Sequence, residues 1–136
     1  MDGQFLLKVM QSNKRLRQSE EATAFLYALN LLRKGKYQLD LYSLFLIFQD
    51  KVLFIDALKI LDSYIWSHDI DEAIQALLKA TPEMLKDAPE WVNLFYTGLL
   101  KDKDTSSRLD FYLNRLGKDN QDVIRRVVMN ASENLV

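Results

Sequence analysis

Residues 19–35, Ser19-Glu20-Glu21-Ala22-Thr23-Ala24-Phe25-Leu26-Tyr27-Ala28-Leu29-Asn30-Leu31-Leu32-Arg33-Lys34-Gly35, decide the fold class. Ala22, Phe25, Leu26, Leu29 and Leu32 recur three or four residues apart, the period that gathers apolar side chains on one face of a helix. Ser19 stands as an N-cap before two acids, which suit the positive end of a helix dipole. Arg33 and Lys34 suit the negative end, and Gly35 closes the segment. Upstream, Phe5, Leu6, Val9 and Met10 predict a short opening helix, and the polar run Gln11 to Gln18 reads as a connection.

Downstream the same signals recur. Asp40 caps a short apolar helix over Leu41 to Phe48, and Asp50 caps a longer one reaching about Ser67. Val52, Ile55, Leu58, Leu61 and Ile65 supply its buried side, while Asp56, Lys59 and Ser63 share a solvent face. Asp69 and Glu72 have capping-box spacing and open a helix over Ile70 to Ala80. Thr81-Pro82 then reads as a cap with proline at the first helical position, which predicts a sharp turn. Ala88-Pro89 repeats the device for a helix to about Leu100, with Trp91, Leu94, Phe95 and Leu99 inward. Thr105 or Ser106 starts the next helix, with Gly117 as its C′ residue. A last helix spans about Asn120 to Asn130, with Val123, Ile124, Val127 and Val128 inward. The expected fold is all-α: a compact α-solenoid or irregular bundle of seven or eight helices in antiparallel pairs, forming one domain over residues 1–136. Four glycines and two prolines are too few for a hairpin-rich β fold.

Composition narrows the function. The chain has no cysteine and one histidine, which excludes disulfides, thiolate sites and His-pair metal motifs. Its uninterrupted apolar runs, Leu44 to Phe48 among them, are far shorter than the ~18–20 residues of a membrane span, and the start lacks a signal-peptide pattern. A cytoplasmic protein with no membrane partner is the expectation. His68 has no glycine-rich elbow near any serine and reads as a helix-end residue. Asp69, Asp71 and Glu72 lack the calcium-loop pattern and are better explained by helix capping, so neither metal nor cofactor is expected. Asp56 and Asp62, as a carboxylate pair, lie six residues apart and point in different directions on one helix, which argues against an enzyme. Trp66, Trp91, Tyr64, Tyr96 and Tyr112 read as core or core-edge residues.

The charge is uneven. Residues 1–39 carry seven basic and three acidic side chains, residues 40–91 four and ten, and residues 92–136 seven and six. The basic clusters Lys14-Arg15-x-Arg17 and Arg33-Lys34-x-Lys36 raise nucleic acid, but a net charge of −1 points away from direct binding. The acidic middle block, with Asp50, Asp56, Asp62, Asp69, Asp71, Glu72, Asp87 and Glu90, is either ordinary solvated surface or a complement to a basic protein.

At Leu46-Ile47-Phe48-Gln49-Asp50 and Asp87-Ala88-Pro89-Glu90-Trp91 the chain resembles small all-helical bacterial immunity proteins of polymorphic toxin and contact-dependent growth inhibition systems. Leu58, Ile65, Asp71-Glu72, Leu77-Leu78, Pro82, Leu85, Leu94 and Leu100 extend the resemblance over residues 40–102 and leave residues 1–35 outside it. Gly98-Leu99-Leu100-Lys101 departs from the Asn-containing end of the family pattern. The resemblance implies a non-catalytic protein that neutralises a cognate toxin domain, the C-terminal part of a large secreted protein. An acidic surface suits a basic nuclease such as a ribonuclease, so the expected partner-binding residues are Asp56, Asp62, Trp66, Asp69, Asp71, Glu72, Asp87 and Glu90. The competing reading is a helical-repeat adaptor or scaffold for another protein.

Overall fold

The computed structural model describes residues 2–35, 37 and 39–135. Lys36, part of the second basic cluster, lies outside them. The described residues form eight helices and no strand: α1 (Gly3–Ser12), α2 (Ser19–Lys34), α3 (Leu41–Phe45), α4 (Ile55–Trp66), α5 (Ile70–Met84), α6 (Pro89–Lys101), α7 (Lys103–Leu113) and α8 (Lys118–Glu133). Alternate helices pack on one another, α3 on α5, α5 on α7, α6 on α8 and α2 on α4, as in stacked helical pairs. The central helix α5 also touches α4, α6 and α8, which closes the stack around one hydrophobic core. No described helix is long and apolar enough to cross a membrane.

Several boundaries differ from the local expectation, some through a competing local bond and some through a tertiary contact. Gln18, rather than Ser19, caps α2, and its backbone N–H donates to Glu21 Oε1 at 3.1 Å. The helix begun at Leu41 stops at Phe45, where backbone bonds from Ile47 to Leu44 and from Phe48 to Phe45 tighten the chain and drive both side chains into the core. Helix α5 runs through Pro82 instead of turning at it. Thr81 is buried, and its hydroxyl donates to the Leu77 carbonyl at 2.7 Å while the Tyr96 hydroxyl, also 2.7 Å away, donates to it. Packing of Ala80, Thr81 and Met84 into the core outweighs the proline penalty, which is about 3 kcal/mol in a helix interior. Gly117, expected to end α7, has φ −59° and is the N-cap of α8. Asp102, not Thr105, caps α7, accepting the Thr105 N–H at 3.2 Å.

The supposed polar connection Gln11 to Gln18 contains a core residue. Leu16 is fully buried with φ 50°, and its carbonyl accepts the N–H groups of Leu53 and Phe54 at 3.2 and 3.1 Å. Lys51, with φ 61°, is the other described non-glycine residue in the left-handed region. These bends lock the α1–α2 connection to the loop before α4.

Candidate partner interface

The two segments that carry the family resemblance are stitched together in space. Asp50 was expected to cap the helix that follows it, but α4 begins five residues later at Ile55. The Asp50 carboxylate instead caps α6, accepting the N–H of Glu90 at 2.9 Å and of Trp91 at 3.3 Å. Its own N–H donates to the Asp87 carbonyl at 3.1 Å, and the Trp91 indole N–H donates to the Gln49 carbonyl at 3.1 Å. Trp91 is buried, with ring centroids 4.9 Å from Phe48 and 5.7 Å from Phe95. Both motifs therefore form one clamp around the start of α6.

A family model described as Immunity protein 30 matches residues 12–109. The chain belongs to the Immunity protein 30 family. Its partner class is accordingly a cognate toxin. No match was found among curated proteins or among solved structures. The match extends the expected 40–102 region back to the end of α1, so residues 12–35 have a family counterpart after all. The buried Leu16 and its bonds to Leu53 and Phe54 give the physical reason: residues 13–18 belong to the same junction as the clamp.

In this immunity-family fold the eight acidic-block candidates separate. Asp87, just past the C-terminal end of α5, and Glu90, in the first turn of α6, lie across α5 from Asp69, Asp71 and Glu72 at its N-terminal end, roughly 22 Å away for a 15-residue helix. Basic residues from the first third fold onto part of the acidic block. Lys14 shares a cleft with Glu83 and Asp87, Arg15 and Arg17 share one with Asp50, and Arg33 joins Lys59 and Asp56 around a cleft of about 610 Å³. The α5 N-terminal corner is different. There Asp69, Asp71 and Glu72 stand beside the first turn of α7 with Asp102 and Asp104, five carboxylates against Lys101, Lys103 and Arg108. Arg108 Nη1 donates to both Asp71 oxygens at 2.9 and 3.0 Å and its Nε donates to Asp104 at 3.0 Å, tying α7 to α5. Asp69 accepts the Glu72 N–H at 3.0 Å as the cap of α5. Asp104 was missed from the chain alone because it and Asp71 lie 33 residues apart and meet only through Arg108.

Asp62 and Trp66, on the last two turns of α4, lead into this corner. Trp66 is half-buried, edge-on to Phe45 at 5.8 Å and tilted against Phe95 at 6.1 Å. Burial pushes the Asp62 carboxyl up from its ordinary value, and a hydrogen bond with Trp66 opposes that shift in part. A raised folded-state pKa means that Asp62 burdens the fold once ionised: the penalty is absent below its unfolded pKa and grows as pH rises from there. Asp62→Asn is therefore expected to match the parent near pH 3 and to exceed it in stability at pH 7. Urea melts at the two pH values check this, and equal midpoint shifts at both would contradict it. His68 follows, partly buried rather than exposed; in its Nδ1-protonated tautomer it donates to the Tyr64 carbonyl at 2.9 Å and finishes α4.

The expected inward face of α6 also needs correction. Leu94 is 60 % exposed, whereas Trp91, Phe95 and Leu99 are buried and Tyr96 joins them. Ile55, expected on the buried side of α4, is likewise exposed.

Proposed function

We propose that this chain binds and neutralises a cognate toxin domain, a nuclease at the C-terminal end of a large secreted protein, in the cytoplasm of the producing cell. It does so without catalysis, laying the corner of Asp62, Trp66, Asp69, Asp71 and Glu72 across the toxin's basic groove, with Asp56, Asp87 and Glu90 as outlying contacts. The family match over residues 12–109 carries the toxin partner. The excess of carboxylates at the α5–α7 corner supports a basic target, because a nuclease presents cations to a phosphate backbone and an acidic surface steers the encounter.

The decisive experiment is co-expression with the product of the adjacent upstream gene, followed by purification and a growth-rescue assay. A stoichiometric complex with rescue supports the reading; absence of binding overturns it and leaves the adaptor role.

Testing the acidic corner needs a residue that does no structural work. Reversing Asp69 removes a helix cap and reversing Asp71 strands Arg108, so either change mixes stability with binding. Glu72 is exposed and makes no side-chain hydrogen bond among the described residues. Glu72→Lys is expected to slow association with the toxin domain severalfold at low salt, with the gap closing at high salt. Asp56→Lys, beside Arg33 and Lys59, should do less. Equal association rates for Glu72→Lys and parent by surface plasmon resonance would remove this corner from the interface.

A further inference from the structure

At the opposite end of α4 from the acidic corner, three consecutive large apolar side chains face solvent: Leu53 is 73 % exposed, Phe54 38 % and Ile55 44 %. The three lie outside the buried face of α4, which is made by Ala57, Leu58, Leu61 and Ile65. Such runs mark contact surfaces when they are held in place. Here they are held, because the Leu16 carbonyl accepts the N–H groups of both Leu53 and Phe54, and Leu16 and Lys51 bend the two crossing segments through the left-handed region.

The surroundings of the tip state the chemistry of what covers it. Arg15 and Arg17 flank Leu16 in the chain, Lys51 lies two residues before Leu53, and these three cations line one cleft of about 260 Å³ with Gln49 and Asp50. The only carboxylate in that cleft is occupied by the amides of Glu90 and Trp91. Among the described residues none of the three cations is ion-paired. Only Phe54 of the three offers a ring on which a base could stack, and the two more exposed side chains, Leu53 and Ile55, are aliphatic, so the apolar centre fits a protein better than a nucleic acid.

We propose that the Leu53-Phe54-Ile55 tip, rimmed by Arg15, Arg17 and Lys51, is a second docking surface that receives an apolar patch of the toxin domain bordered by acidic side chains. The inference rests on the toxin-binding reading and deepens it. Helix α4 separates this tip from the acidic corner by roughly 18 Å for its 12 residues, a span that one toxin domain covers. The toxin would then be gripped both at its basic groove and at an acidic, apolar exosite, which adds contacts that a nucleic-acid substrate does not compete for.

The test measures the affinity of the full chain for the C-terminal domain encoded by the adjacent toxin gene, by titration calorimetry, with circular dichroism confirming that each variant is folded. Leu53→Asp is expected to weaken binding by about 30-fold or more, as loss of a central apolar contact does. Arg15→Glu with Arg17→Glu is expected to weaken binding about tenfold, with the loss shrinking at high salt. If the parent binds and both variants bind equally well, this inference fails and the toxin-binding reading stands. If the parent itself does not bind, both fail together. Sedimentation showing a parent dimer that Leu53→Asp converts to monomer, with toxin affinity unchanged, would assign the tip to a second copy and overturn the proposal. So would RNA binding lost in the arginine variant with toxin affinity unchanged.

Discussion

Trp91→Ala should lose on the order of 3–5 kcal/mol of folding stability, the range for removing a large buried aromatic side chain. The ring is only 8 % exposed and sits between Phe48 and Phe95, with its N–H given to the Gln49 carbonyl. Truncation opens a cavity where Phe45, Phe48, Trp66 and Phe95 converge and leaves the Gln49 carbonyl without its partner. Set against a total of about 5–15 kcal/mol for a domain, the loss brings the chain close to unfolding at body temperature. Urea denaturation followed by circular dichroism reads it directly. Leu94→Ala, on the exposed side of the same helix, should change the midpoint little, so the pair separates a packing role from a surface one. A Trp91 variant as stable as the parent but deficient in toxin binding would reverse the assignment and make the ring an interface anchor.

Asp50→Ala should cost about 2 kcal/mol, combining the loss of a helix cap with that of hydrogen bonds to a charged acceptor. Two amides of α6 rest on this carboxylate from 40 and 41 residues away, and the Trp91 amide is partly buried, so water replaces the bond imperfectly. Asp50→Asn keeps one acceptor oxygen and should lose clearly less. Because the Gln49–Asp50 peptide also binds the Asp87–Trp91 segment, through its carbonyl and its N–H, Asp50→Ala and Trp91→Ala act on one clamp. Their effects should add to less than the sum of the single losses, and a double-mutant cycle measures the shortfall. Strict additivity would show that the cap and the aromatic contact stabilise the fold independently.

These two residues show how far local signals carry. Asp50 has the chemistry of an N-cap, and a cap it is, but of a helix that starts 39 residues later instead of the one that follows. Trp91 lies on an apolar stripe and is buried as that stripe predicts. Thr81-Pro82 has the form of a helix start, yet the hydroxyl is satisfied by Leu77 and Tyr96 and the helix continues. In each case the residue type states which bond is sought and the packed neighbours decide where it is made.

The candidate surface divides in the same way. The middle third of the chain is acidic by composition, and the resemblance of its two motifs to immunity proteins agrees with the family match. Which carboxylates remain free is a different matter. Asp50 is consumed by a cap, Asp71 by Arg108, and Asp56 and Asp87 acquire Arg33 and Lys14 as neighbours. The tip at Leu53 was hidden because Val52 and Ile55 read as part of a buried stripe; the bonds to the Leu16 carbonyl start the helix later and turn the tip outward.

Helix number and type, the acidic middle block and the immunity-protein resemblance were written in the chain because each depends on residues within a few turns of one another or on composition alone. The clamp on α6, the sorting of charged residues into paired and free, and the exposed apolar tip came only with the packed structure. Their partners lie tens of residues apart, and no local period or propensity encodes which distant cation or amide a given side chain will meet.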